Sequence, residues 1–284
     1  IDHSLPGNEL DASDRDDAIA IQNWPLFGMF MPDAIASYEV GGTTYYVTAN
    51  EGDARDADDR AGDVDLDPTA FPNADLLQEN ELLGRIDVST IDGDFDGDGD
   101  FDALFSYGTR SFTIFDEHGN KVFDSGSDFE RIIAEARVPN AFNNTDFPSD
   151  DPDVVDENRS DNKGPEPEAV TIGQIGDSIY AFFGLERDSG IMVYNVTDPT
   201  NPTFVQYINS VEDGDVSPET LAFVSAEDSP SGQPLLLAAN EVSGTTAIYQ
   251  VDIDPIPTAF PNSVASGDVT EDSVVLLARS LNPG

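Results

Sequence analysis

Residues 92 to 104 read DGDFDGDGDFDAL, and Asp92, Asp94, Asp96, Asp98, Asp100 and Asp102 alternate with other residues. On an extended strand all six carboxylates would share one face, a stack of like charge that needs cations. A calcium loop resolves the conflict. From Asp94 the pattern is D-x-D-x-D-G-x-x-D, in which Asp94, Asp96 and Asp98 supply side-chain oxygens, Gly99 allows the turn, Asp100 adds its carbonyl and Asp102 closes the site. An EF-hand would carry Glu at its twelfth position, whereas counting from Asp92, Asp94 or Asp96 reaches Ala103, Phe105 or Tyr107. The expected cofactor is Ca2+ in a shorter, nine-residue loop, with a structural role, because no base or nucleophile accompanies its ligands.

That loop resembles the calcium-binding hairpin loops of FG-GAP repeats in integrin-type propellers. Other chemistry has little material. The chain has no Cys and two His, His3 and His118, so thiol catalysis, disulfides and an ordinary zinc centre are excluded. It has neither a G-x-S-x-G elbow nor a glycine-rich phosphate loop, leaving no catalytic residue to name and no site for an organic cofactor. His118, beside Gly119-Asn120, is expected at an exposed hairpin tip. In RSDNKGPEPE (159 to 168) the cations Arg159 and Lys163 adjoin Glu166 and Glu168. They either hold a phosphate near a metal or neutralise the acids around them.

The 284 residues carry 57 acidic against 12 basic side chains, a formal charge of -45, with 40 Asp and 17 Glu. Such a field repels nucleic acid and opposes compaction unless cations screen or bind it, which points to a saline, calcium-containing, extracellular or periplasmic setting with halophilic character. With 38% hydrophobic residues and 17 Phe the chain can bury a core. No run of about 18 apolar residues exists to span a bilayer. The first residue is Ile1, so any signal peptide is expected upstream.

The elements that would position these residues are short β runs at 34–40, 44–48, 111–115, 121–123, 178–183, 191–196, 235–239 and 245–251, with helical periodicity only at 73–83 and 129–136. An internal repeat organises them. MPDAIASYEV (31–40), EPEAVTIGQI (166–175) and SPETLAFVSA (217–226) align Asp33, Glu168 and Glu219; YYVTANEG (45–52), YAFFGLER (180–187) and LLLAANEV (235–242) align Glu51, Glu186 and Glu241. GIMVYNV (190–196) and GTTAIYQV (244–251) supply third strands, a place the first copy is expected to fill with GRIDV (84–88) after an acidic insertion. The hairpin 111–126 reads as a further unit. The fold class is all-β, a β-propeller with about four blades in this chain. In it the six repeated acids either form a ring about the axis or cap their own turns.

HSLPGNELDASDRD (3–16), PDAIASYEV (32–40), TANEGDARD (48–56), GDFDGDGDFDALFSYGTRSFTIFD (93–116), RSDNKGPEPEAV (159–170), GLERDSGIMVY (184–194), TDPTNPTFVQYIN (197–209) and AANEVSGTTAIY (238–249) together resemble the choice-of-anchor I domain of bacterial surface and secreted proteins, found also in proteins labelled mesenchyme-specific cell surface glycoprotein. The resemblance implies that residues 1–252 are the C-terminal part of a seven-bladed propeller whose upstream fragment is a partner. After a linker at 253–262, the segment 263–284 is similar to the start of the immunoglobulin-like module of PhoD-type alkaline phosphatases, implying a phosphatase domain beyond it. Two functions follow. The first is a secreted or surface-attached, calcium-stabilised scaffold or ligand-binding module. The alternative is a metal-dependent phosphoric-ester hydrolase, alkaline phosphatase-like or phytase-like, working through metals on the acid ring or in the following domain.

Overall fold

The computed structural model describes residues 1–137, 142–144, 157–254 and 274–279. The strands in chain order are β1 (Phe27–Met29), β2 (Ala34–Val40), β3 (Thr43–Ala49), β4 (Asp58–Arg60), β5 (Asp87–Ser89), β6 (Phe105–Tyr107), β7 (Phe112–Asp116) and β8 (Lys121–Asp124). They continue with β9 (Pro167–Ile175), β10 (Ser178–Leu185), β11 (Gly190–Asn195), β12 (Thr203–Asn209), β13 (Pro218–Val224), β14 (Leu235–Asn240), β15 (Thr245–Asp254) and β16 (Val274–Arg279). Two short helices, α1 (Ala74–Leu77) and α2 (Asp128–Arg137), are interspersed. Among the described residues the protein is all-β, with four four-stranded sheets. None of the described helices is long and apolar enough to cross a membrane.

The chain forms two compact units. One comprises Ala34–Ala49, Thr113–Asp124 and Glu168–Gly284, and carries three sheets of order β2-β3-β7-β8, β12-β11-β10-β9 and β13-β14-β15-β16. Each sheet runs in chain order, as a meander does. One core of this unit gathers Phe182, Val193, Leu236, Ala238, Tyr249 and Val251 from one face of their strands; β10 and β11 bury their other face as well, through Ala181, Phe183, Met192 and Tyr194.

The three copies of the repeat open these three meanders as β2, β9 and β13. Before each lies a residue that is not glycine yet has positive φ: Met31 (39°), Glu166 (54°) and Ser217 (66°), followed in every case by proline. Proline fixes the direction of the next residue and the left-handed residue turns the chain into the strand. That backbone choice costs about 1 to 3 kcal/mol per position, so its recurrence marks one architectural unit used three times.

The other unit comprises Ile1–Asp33, Asn50–Phe112 and Ser125–Pro167. Its sheet, β1-β6-β5-β4, is not a meander, because β1 pairs in parallel with β6 through Phe27↔Phe105. Leu10, Trp24, Leu26, Phe71, Leu83, Ile86, Val88 and Leu104 form its core.

Three expectations from the sequence are corrected by the structure. GRIDV does not continue the first copy; Asp87–Ser89 is β5, in the sheet of the other unit. The third and fourth strands of the first copy are β7 and β8, so the hairpin 111–126 completes that meander and is no separate repeat. Loop closure grows costlier only with the logarithm of length, so a long insertion between β3 and β7 can join β1 and the core of the other unit without breaking the sheet it interrupts. The helical pattern at 73–83 also shortens to Ala74–Leu77, because the chain folds back: Gln78 Nε2 donates to the carbonyls of Ala61 (2.9 Å) and Val64 (2.8 Å). The expected linker and tail at 253–284 lie outside the described residues except for the end of β15 and for β16, which pairs with β15.

Candidate metal centre and acidic clusters

The aspartate-rich segment folds as a closed loop. The amides of Asp102 (2.9 Å) and Ala103 (3.2 Å) both donate to the carbonyl of Gly93 and tie its base. Phe101 anchors the far side, its amide donating to the Asp65 carbonyl (2.9 Å) and its carbonyl accepting from Asp67 (3.0 Å). Inside, the Asp94 carboxylate accepts from the amides of Gly97 (2.7 Å) and Gly99 (3.2 Å), and Asp102 Oδ2 accepts from Phe95 (2.8 Å). Gly99 stands at φ 105°, a region that side chains with a Cβ rarely enter.

The result is that Asp94, Asp96 and Asp102 each present a carboxylate oxygen within 4.8 Å of the other two. Asp98 and Asp100 stand beside them, the Asp100 amide donating to Asp98 Oδ1 (3.3 Å). Repulsion is felt in the titrations: the charge of Asp98 pushes Asp96 up, while desolvation and the charge of Asp98 push Asp100 up to about 6. Three convergent carboxylates with only oxygen donors nearby suit a hard cation of calcium type.

The six repeated acids occupy different surroundings. Asp33, Glu219 and Glu241 are exposed, whereas Glu51, Glu168 and Glu186 are buried. In the three-meander unit, Glu168 on β9 and Glu186 just beyond β10 bring carboxylate oxygens within 4.8 Å of each other, and Arg187 Nη1 lies 3.0 Å from Glu186.

In the other unit, Glu51 meets the segment 159–166. Lys163 Nζ donates to Glu51 Oε1 and lies 2.9 Å from Glu166 Oε2, while Arg159 holds Glu166 Oε1 through Nε (2.8 Å) and Nη2 (2.5 Å). Burial alone would raise Glu166, but Arg159 and Lys163 outweigh it and hold the carboxyl below its usual range. Lys163 is the reverse case: burial alone would lower it, and Glu166 and Glu51 raise it. Of the two roles open to Arg159 and Lys163, the geometry realises the neutralising one.

A second network was invisible in the sequence. Arg110, buried and itself at φ 57°, donates from Nη1 to Glu130 Oε1 (2.7 Å) and the Asp11 carbonyl (2.6 Å), and from Nη2 to the carbonyls of Ser160 (2.7 Å) and Asn162 (2.9 Å). Glu130 Oε2 accepts from the Asp11 amide (2.9 Å) and Oε1 from Asn143 Nδ2 (2.8 Å). A Cβ on Gly164 would meet Arg110 Cδ at 2.8 Å and Glu130 Oε1 at 3.0 Å, so that position has room for hydrogen alone. Beside it, Arg60 and Arg85 share Asp161, with Asp87 and Asp14 as their further partners. Burial pushes Asp87 up to about 6 against the pull of Arg60. The one signal available was scarcity: with so few cations, an Arg inside a stretch with no other charge, such as SYGTRSF, is placed for an internal acid.

Fold and site thus define an all-β protein built on a repeated meander, with an acidic metal-type loop on an inserted unit. The chain belongs to the choice-of-anchor I domain family, whose model matches residues 1–199. It is 31% identical over 205 residues to Gigasin-3a of Magallana gigas, covering 66% of this chain and 72% of that protein. It is 25% identical over 284 residues to the Mesenchyme-specific cell surface glycoprotein of Strongylocentrotus purpuratus, covering 86% of this chain and 34% of the relative, so the chain spans about a third of that protein's length. No solved structure matches it.

Proposed function

We propose that this chain is a calcium-stabilised module of β-propeller type, secreted or displayed at a cell surface, that serves as a scaffold or ligand-binding part of a larger protein in a saline environment. The observation that carries the reading is the threefold recurrence of one entry turn and one meander, the blade-like unit that propellers repeat. Membership of a choice-of-anchor family and likeness to a protein named as a cell surface glycoprotein support the location. Calcium held by the converging carboxylates of Asp94, Asp96 and Asp102, with the Asp98 carboxylate and the Asp100 carbonyl completing its ligands, would stiffen the unit that carries the loop and offset part of its self-repulsion. A phosphoric-ester hydrolase would need cations open to phosphate, whereas Arg159 and Lys163 are engaged by Glu166 and Glu51, which favours the scaffold.

The location is tested with a membrane-impermeant amine reagent on intact cells that make the whole protein. Lys121 is exposed and Lys163 is buried, so peptide mapping should find the label on Lys121. Labelling of Lys121 only after lysis would contradict a surface role.

A further inference from the structure

Around Asp11, in the unit that carries the inserted sheet, three oxygens are buried without any hydrogen-bond donor: Asp11 Oδ1, Asn143 Oδ1 and Glu157 Oε2. The residues are 0%, 0% and 4% exposed. An acceptor left in this state is costly, more so when charged, and natural proteins rarely leave three on residues that all bond to one neighbour, here Ser160.

Their arrangement is built. Ser160 Oγ donates to Asp11 Oδ2 (3.0 Å) and accepts from Asn143 Nδ2 (3.0 Å), joining the two side chains through one hydroxyl. Asn143 Nδ2 also donates to Glu130 Oε1 (2.8 Å), and since a carboxylate only accepts, the amide orientation is fixed with Oδ1 on the other side. Glu157 is brought in by its own backbone: its carbonyl accepts from the Ser160 amide (2.9 Å), while the Asn143 carbonyl accepts from Arg159 (2.8 Å). The Glu157 carboxyl is held by a hydrogen bond with the Asp16 side chain and one from the Ala18 amide. Asn143 is held at φ 44°, a backbone position that must be imposed by its surroundings. Arg110, the cation of this network, spends its donors on Glu130 and three carbonyls.

We propose that Asp11, Asn143 and Glu157 form a buried calcium site, distinct from the loop at Asp94–Asp102. Two carboxylates and an amide carbonyl are hard oxygen donors, and burial of both acids together is stable once a divalent cation replaces the missing donors. Calcium tolerates such an irregular set, whereas magnesium demands an octahedron and keeps its waters. This site does not depend on the proposed surface role or on calcium in the exposed loop.

The test is a calcium titration by calorimetry on the chelator-stripped whole chain carrying Asp98→Ala, which disables the exposed loop and leaves the buried residues intact. One calcium equivalent should remain, and it should vanish when Glu157→Gln is added. Should that variant not fold, the isosteric Asp11→Asn in the same background should weaken calcium by more than the roughly tenfold that losing an outer-shell partner costs. Absence of a remaining equivalent in Asp98→Ala, or its survival unchanged in either second variant, would overturn the proposal. A single equivalent in wild type that persists unchanged in Asp98→Ala and vanishes with Glu157→Gln would count against the loop alone.

Discussion

His3 is a residue whose burial decides its protonation. Its Nδ1 faces the Asn8 carbonyl at 2.6 Å and therefore carries the hydrogen, leaving Nε2 as a lone pair pointed at Gly28, whose Cβ position lies 2.7 Å away. Burial pushes the imidazole down to about 4 from an ordinary 6.5. The folded state thus binds fewer protons than the unfolded chain between those values. Stability is present above about pH 6.5 and falls as pH drops towards 4, by about 3 kcal/mol in total. Urea unfolding of wild type and His3→Gln across that window should show a shallower pH slope in the variant; equal slopes would mean that His3 is charged when folded. What the sequence reveals at this scale depends on how local the partners are. The calcium-type loop was legible because its ligands share one short segment. Asp11 was not, because its partners Glu130 and Ser160 are 119 and 149 residues away and nothing in their spacing announces the meeting.

At the scale of elements, the repeated left-handed residue before each meander is a strained feature with a direct consequence. Met31 is only partly buried, so its substitution reports mainly on backbone conformation. Met31→Gly should leave the melting temperature unchanged or raise it slightly, the relief at positive φ offsetting the freedom glycine adds to the unfolded chain. Met31→Val should cost at least about 1 kcal/mol, since a β-branched residue fits that region worst. Equal effects of the two would show that Met31 does not hold the left-handed geometry in solution. The strands of the repeat were readable from alternation and turn residues, and eight of the sixteen described strands match their sequence-derived runs to within about three residues. β1, β4, β5 and β6 were not, because three-residue strands carry no period, and their pairing is fixed by the insertion's own core.

Across the whole molecule the formal charge of -45 sets the conditions under which any of this is stable. Most of the cations inside the inserted unit are committed to individual carboxylates there, so exposed acids such as those of the 94–102 loop must be balanced from solution. Sequence composition announced this need plainly; which acids would converge was settled by folding. The central claim is that calcium in the loop stabilises this unit, and the most direct measurement is thermal unfolding at fixed high salt, in calcium and in chelator, of wild type and Asp98→Ala. Calcium should raise the wild-type melting temperature, Asp98→Ala should lose most of that gain, and the two chains should melt together in chelator. A wild-type melting temperature indifferent to calcium, or equal destabilisation of Asp98→Ala under both conditions, would contradict it.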